Sequence, residues 1–201
     1  MCPRPRKVSD DEVFQAMQRT MSRLGPGALT LAEIAAEAGV TAGALVQRFG
    51  SKRDLLLALS DRFSGGTKEM FAALRQANRS PLAALRAYGD CISGLATSPE
   101  ALARNLSYLQ IDLTDPDLRK HLVAQARASR VELQAIIKEA VAAGELVRHV
   151  NPTRLARTVE AILGGSMMSW AYHEEGTATE WMREDLDAVL RPYLLKKRKR
   201  R

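Results

Sequence analysis

The stretch TLAEIAAEAGVTAGALVQRFGSKRDLLLAL, residues 30–59, decides how this chain folds. Three helix-start signals follow one another within it. Thr30 with Glu33 has the spacing of a capping box, Thr41 offers a hydroxyl cap, and Ser51 with Asp54 supplies a third start. Two short helical patterns meet at Gly39, and Ile34, Ala35, Ala38, Val40, Leu45 and Phe49 fall where such a pair needs inward contacts. Leu45 and Phe49 stand one turn apart on the second helix, which leaves its other faces free. A short capped helix with a free face has the shape that enters a DNA major groove.

Upstream, Ser9 and Glu12 form a further capping box, and Val13, Phe14, Met17 and Met21 give the helix it opens one apolar face. Gly25, Pro26 and Gly27 end that helix, so residues 9–64 are expected to form a three-helix unit followed by the helix that Ser51 opens. Residues 1–8 carry Arg4, Arg6 and Lys7 around two prolines and are expected to be a disordered basic arm, either solvated or in contact with DNA.

Downstream, Gly65 and Gly66 interrupt an apolar pattern that resumes at Met70, Phe71 and Leu74; the pair is expected to act as a soft joint or a break. Polar-Pro pairs then open successive helices at Ser80-Pro81, Ser98-Pro99, Asp115-Pro116 and Asn151-Pro152. Gly144 is expected to stop the third of these and Gly176 the fourth, with a last helix from about Ala178 to Leu194. The expectation is an all-α chain of about nine helices without a strand or internal repeat, in which residues 65–194 form a second helical domain and residues 195–201 a basic tail. Abundant Ala and Leu with few aromatics agree with this class.

Charge separates by segment. Residues 1–64 carry +2, residues 65–190 carry −2, and residues 191–201 carry +7, equal to the net charge of the whole chain. The high isoelectric point is therefore largely a property of the KKRKRR ending, read first as a solvated tail, and says little about the rest. No apolar run reaches the length of a membrane span, and the MCPRPRKVSD opening lacks the apolar core of a secretory leader. Cys2 and Cys91 are far apart, which suits a reducing cytoplasm; Cys91 is expected as a small buried helix residue.

Catalytic and metal chemistry find little to work with. His121, His149 and His173 are isolated from one another and from metal-ligand spacing. Gly164-Gly165-Ser166 resembles the start of a nucleophile elbow, but Met168 stands where the second glycine belongs. No phosphate-cradling glycine loop occurs, so neither an enzyme nor a cofactor is expected.

The pattern T-x-x-E-I-A-x-x-A-G-V-T-x-G-x-L over Thr30–Leu45, followed by Phe49, Gly50, Ser51, Lys52 and Leu55, resembles the DNA-binding domain of TetR-like transcriptional regulators. The resemblance covers Ser9 to Leu59, about a quarter of the chain. It implies a ligand-responsive repressor, a homodimer joined through its last two long helices, and a partly palindromic double-stranded operator released by a small-molecule effector. It also implies that Thr30 and Thr41 are phosphate-contacting caps and that Lys52 anchors the DNA backbone. Ala42, Gly43, Ala44 and Gln47 then meet the bases, with Gln47 able to pair bidentately with adenine.

Two positions depart from the family's pattern. Tyr, and two places later His or Tyr, are usual where Val46 and Arg48 stand. Arg48 with Arg53 is expected to replace the missing phosphate contact. For the effector, Met70, Leu74, Tyr88, Leu95, Leu106, Tyr108, Met167 and Trp170 are candidate cavity residues, although ordinary core packing accounts for each taken singly. The competing functional reading is a helical ligand-binding or scaffolding protein whose helix-turn-helix no longer reads DNA.

Overall fold

Ten α-helices account for most of the chain in the computed structural model, which describes residues 8–195. They are α1 (Asp10–Arg23), α2 (Leu31–Ala38), α3 (Ala42–Phe49), α4 (Lys52–Gly65), α5 (Thr67–Ala77), α6 (Pro81–Ser93), α7 (Pro99–Thr114), α8 (Pro116–Ala142), α9 (Pro152–His173) and α10 (Ala178–Leu190). The fold is all-α. Its one sheet-like feature among the described residues is an isolated antiparallel bridge between Leu146 and Leu194. The basic segments 1–7 and 196–201 lie outside the described residues, and with them nearly all of the expected arm and tail.

The helix starts follow from short-range chemistry. Ser9 and Glu12 make a complete capping box, with Glu12 N donating to Ser9 Oγ at 3.2 Å and Ser9 N to Glu12 Oε2 at 2.7 Å. Ser80 and Asn151 cap α6 and α9, whose first residues are Pro81 and Pro152. There a missing N–H costs nothing, because the first-turn donors have no intrahelical partner.

Three boundaries differ from the sequence expectation. The nine expected helices are ten, because the pattern across Gly65 and Gly66 is broken: α4 stops at Gly65, and Gly66, at φ −84° and ψ 2°, precedes α5. The fourth polar-Pro helix, α9, ends before Gly176, with Glu174 in the left-handed region at φ 55° and its N–H donating to Trp170 O. The last α-helix stops at Leu190 rather than Leu194, and Arg191–Tyr193 tighten into a 3₁₀ turn around Pro192, which has no N–H to continue the helical ladder.

The chain divides into two compact units. The first comprises residues up to Phe63 together with Ala103–Leu122; the second comprises Ser64–Leu102 and residues from Val123 onward. Residues 103–122, assigned by the sequence reading to the second domain, thus belong to the first unit. Its core holds Val13, Met17, Leu29, Ile34, Leu45, Leu55 and Leu59, with Tyr108 among them. Tyr108 donates its hydroxyl to Leu24 O at 2.7 Å, and burial pushes its phenol up to about 12.

The second unit is centred on Phe71, Leu85, Leu133, Ile136, Ile137, Val159, Leu163 and Leu186. Phe71 stacks on Tyr88 with ring centroids 4.9 Å apart. Gly89 lets α6 approach closely, since a Cβ there would stand 3.4 Å from both Leu163 on α9 and Leu186 on α10. Arg86–Asp187 and Arg183–Asp90 ion pairs join the edges of α6 and α10. Cys91, expected to be buried, is exposed on α6.

Candidate nucleic-acid interface

α2 and α3 are joined by a turn whose chemistry is local. Gly39 takes φ 69° and ψ 32°, a conformation that glycine adopts without a Cβ penalty, and its N–H reaches back to the carbonyls of Ala35 and Ala36. Val40 N donates to Ala35 O at 2.9 Å. Thr30 and Thr41 cap the two helices by accepting from Glu33 N at 3.2 Å and Ala44 N at 3.1 Å. Both threonines are exposed, and each hydroxyl proton stays available for an outside acceptor.

α3 turns Leu45 fully inward, and Phe49 packs against Phe14 with centroids 5.9 Å apart. Gly43, Ala44 and Gln47 are exposed on its remaining surface, and Ala42 is half-buried against the core. The Gln47 amide makes no hydrogen bond among the described residues, so both its donor and its acceptor are available. Val46 is 51% exposed and carries no polar group to that surface. Ser51 and Asp54 close α4 with a reciprocal box, Asp54 Oδ2 accepting from Ser51 N at 3.1 Å and from Ser51 Oγ at 2.7 Å. Those bonds hold the Asp54 carboxyl below its ordinary range.

The cations of this region are already engaged. Arg48 Nη1 donates to Val8 O at 2.7 Å, its Nη2 pairs with Asp10, and its guanidinium lies 5.3 Å from the Phe49 ring centroid. Lys52 Nζ donates to Leu29 O at 2.8 Å and Pro26 O at 3.2 Å, tying the connection between α1 and α2 to the start of α4. Arg53 forks onto Asp115 through Nε at 2.8 Å and Nη2 at 2.9 Å, and the same Nη2 reaches Asp117 at 2.8 Å. Arg53 hydrogen bonding lowers both carboxyls, that of Asp117 to about 2 with help from Lys120, and raises the guanidinium in turn. Arg48 and Arg53, expected at phosphates, are thus bound within the unit. Their partners lie 38 to 64 residues away in sequence, where no local pattern could point to them.

Two family profiles match the chain. One, described as bacterial regulatory proteins of the tetR family, covers residues 16–59; the other, a tetracyclin repressor-like C-terminal domain, covers residues 108–186. Together they span more than half of the sequence. The chain belongs to the TetR family. Solved TetR structures share its fold. A transcription regulator from Haloarcula marismortui is 19% identical, with 92% of this chain and 98% of that one covered and a TM-score of 0.74. Reduced NemR from E. coli is 15% identical, with 94% and 99% covered and a TM-score of 0.72. SmeT, the repressor of the Stenotrophomonas maltophilia multidrug efflux pump SmeDEF, is 21% identical, with 95% and 93% covered and a TM-score of 0.65. A search of curated protein sequences finds no match.

The effector candidates do not converge within this TetR fold. Leu106 and Tyr108 fall in the first unit, Tyr108 in its core. In the second unit Tyr88 is buried in the main core, with Leu74 and Met167 packed against it. Trp170 belongs to a small cluster with Ala96, Leu102 and Ala178 and donates its indole N–H to Gly176 O at 3.2 Å. Met70 and Leu95 are exposed. A half-open cavity of about 260 Å³ lies elsewhere in that unit, lined by Asn151, Arg154, Leu155, Thr158, Val189 and Tyr193, none of them a sequence candidate. Among the described residues no group of three or more His, Cys, Asp or Glu could hold a metal ion, and no helix is long and apolar enough to cross a membrane.

Proposed function

We propose that this TetR-family chain is a DNA-binding transcriptional regulator acting as a repressor. It binds a partly palindromic operator as a homodimer joined through α9 and α10 and is released by a small molecule. The observation that carries this reading is the exposed face of α3: Gly43, Ala44 and Gln47 lie on a helix whose start is capped by Thr41 and whose apolar side is filled by Leu45. Small residues let the helix approach base edges closely, and the Gln47 amide matches the N6 and N7 edge of adenine. Thr30 and Thr41 add hydroxyl donors at two helix starts, where backbone N–H groups also favour phosphate. Repression is supported by SmeT, described as a repressor. For the effector, Met70 and Leu95 are the candidates of the second unit that a ligand can meet without displacing core side chains.

The competing reading, a regulator-like fold that binds ligands but no longer reads DNA, draws on the exposed Val46 and on the internal engagement of Arg48, Lys52 and Arg53. Footprinting and mobility-shift titration on DNA from around the protein's own coding region separate the two. A regulator protects two patches about one helical turn or a multiple of it apart, with affinity falling as salt rises. Salt-insensitive or position-independent binding favours the second reading.

A further inference from the structure

All six Lys and Arg side chains of residues 8–64 have partners inside the first unit. Arg19 and Arg23 pair with Glu37, Arg62 with Asp11, and Arg48, Lys52 and Arg53 are held as described above. The recognition helix therefore brings no uncommitted cation to the DNA it would enter. The other three cations of this stretch are Arg4, Arg6 and Lys7, immediately before Val8.

Arg48 is the residue that connects the two. It stands in the last turn of α3, and its guanidinium holds Val8 O and the Asp10 carboxylate at once. The point where the N-terminal chain joins the fold is thereby tied to the recognition helix rather than to α1 alone. The acids nearest that point are occupied as well. Asp10 pairs with Arg48, Asp11 with Arg62, and Glu12 accepts from Ser9 N and Oγ. Each of those pairings weakens the pull that α1's acidic first turn would otherwise exert on nearby cations. Four residues of chain reach at most about 14 Å, comparable to the roughly 12 Å length of an eight-residue helix. Arg4, Arg6 and Lys7 are thus within range of the backbone that borders the groove taken by α3.

We propose that Arg48 is a positioning residue: it fixes the start of the fold to the recognition helix so that Arg4, Arg6 and Lys7 grip the DNA backbone beside the groove. This rests on the DNA-binding reading above and assigns its electrostatic part to a segment other than the helix-turn-helix.

The test is a double-mutant cycle of full-length protein, protein lacking residues 2–7, Arg48→Ala, and both changes together. The probe is a duplex that the full chain selects from a random-sequence pool, with Kd measured between about 50 and 200 mM salt. Removing residues 2–7 is expected to weaken binding at least tenfold and to make the salt slope shallower by about two to three units. Arg48→Ala is expected to weaken the full chain about fivefold or more, yet to change the shortened chain less than about twofold, the non-additivity of coupled groups. Equal Arg48→Ala effects in both backgrounds, each with a slope change of about one, mean a direct phosphate contact and overturn the proposal. So does a shortened chain with unchanged Kd and slope, a result that does not depend on how any Arg48 variant folds. Arg48→Lys, which can keep the Asp10 pair but lacks the fork, replaces alanine if that variant unfolds. A DNA-cleaving reagent on Cys2, in a Cys91→Ser background, should cut at discrete positions flanking each half-site, and the cuts should scatter when Arg48 is replaced; uniform cutting by the intact chain counts against the idea. Failure of the full chain to select any duplex overturns the regulatory reading itself, whereas selection without an effect of residues 2–7 removes this inference alone.

Discussion

Gln47 and Val46 are neighbours on α3 with opposite endowments. Gln47 offers an exposed amide without a partner among the described residues, and Val46 exposes half of an apolar side chain where a hydroxyl donor is usual in the family. Gln47→Ala should therefore reduce affinity for the selected duplex by about 1–3 kcal/mol and relax the preference at one base position, with the salt slope unchanged. A loss spread evenly over all sequences would assign Gln47 to the backbone instead. Val46→Tyr should do the reverse. The site has room because it is half exposed, and one new hydrogen bond from the phenol to a phosphate is expected to tighten binding about two- to tenfold. Unchanged affinity would show that Val46 lies away from the duplex.

At the scale of the element, α3 holds together because one fully buried side chain and one cap act on eight residues. Leu45→Ala should cost about 2–5 kcal/mol, the penalty for an unfilled core position, read as a lower urea midpoint of the first unit. Thr41→Ala should cost about 1 kcal/mol through the lost bond to Ala44 N. A Leu45→Ala loss no larger than that of Thr41→Ala would mean that the core around α3 closes over the gap. These two positions were legible in the sequence, because caps act across three residues and apolar faces repeat every three or four. The paired starts at Ser9, Ser51, Ser80 and Asn151 were legible for the same reason. Helix ends were read less well. Glu174, not Gly176, takes the left-handed turn after α9, and the short-range pattern across Gly65 and Gly66 does not reveal that the helix stops there. The ion pairs of Arg48 and Arg53 were not legible at all, since they are made by chain segments brought together only by folding.

For the molecule as a whole, the sequence divided the chain at one point, whereas the first unit is assembled from two stretches, residues up to 63 and residues 103–122. Tyr108 and Arg53 bind those stretches together, one by burying a ring and donating to Leu24 O, the other by gripping Asp115 and Asp117. The second link is sensitive to acid, and its sign follows from the carboxyl shifts. Both aspartates are held below their unfolded value of about 3.9, Asp117 at about 2, so the folded unit binds fewer protons than the unfolded chain. Their stabilisation is fully present above about pH 4 to 5 and disappears as the pH falls through about 2. Because these side chains are open to water, the effect is modest and screened by salt. Arg53→Met removes the partner and should abolish the dependence. Thermal unfolding of wild type and variant is then expected to show a gap in favour of wild type at pH 6, narrower at pH 3 and closed near pH 2, and smaller throughout in high salt. A gap that persists unchanged into acid would mean that Arg53 stabilises the unit by the packing of its stem and not by its pair of aspartates.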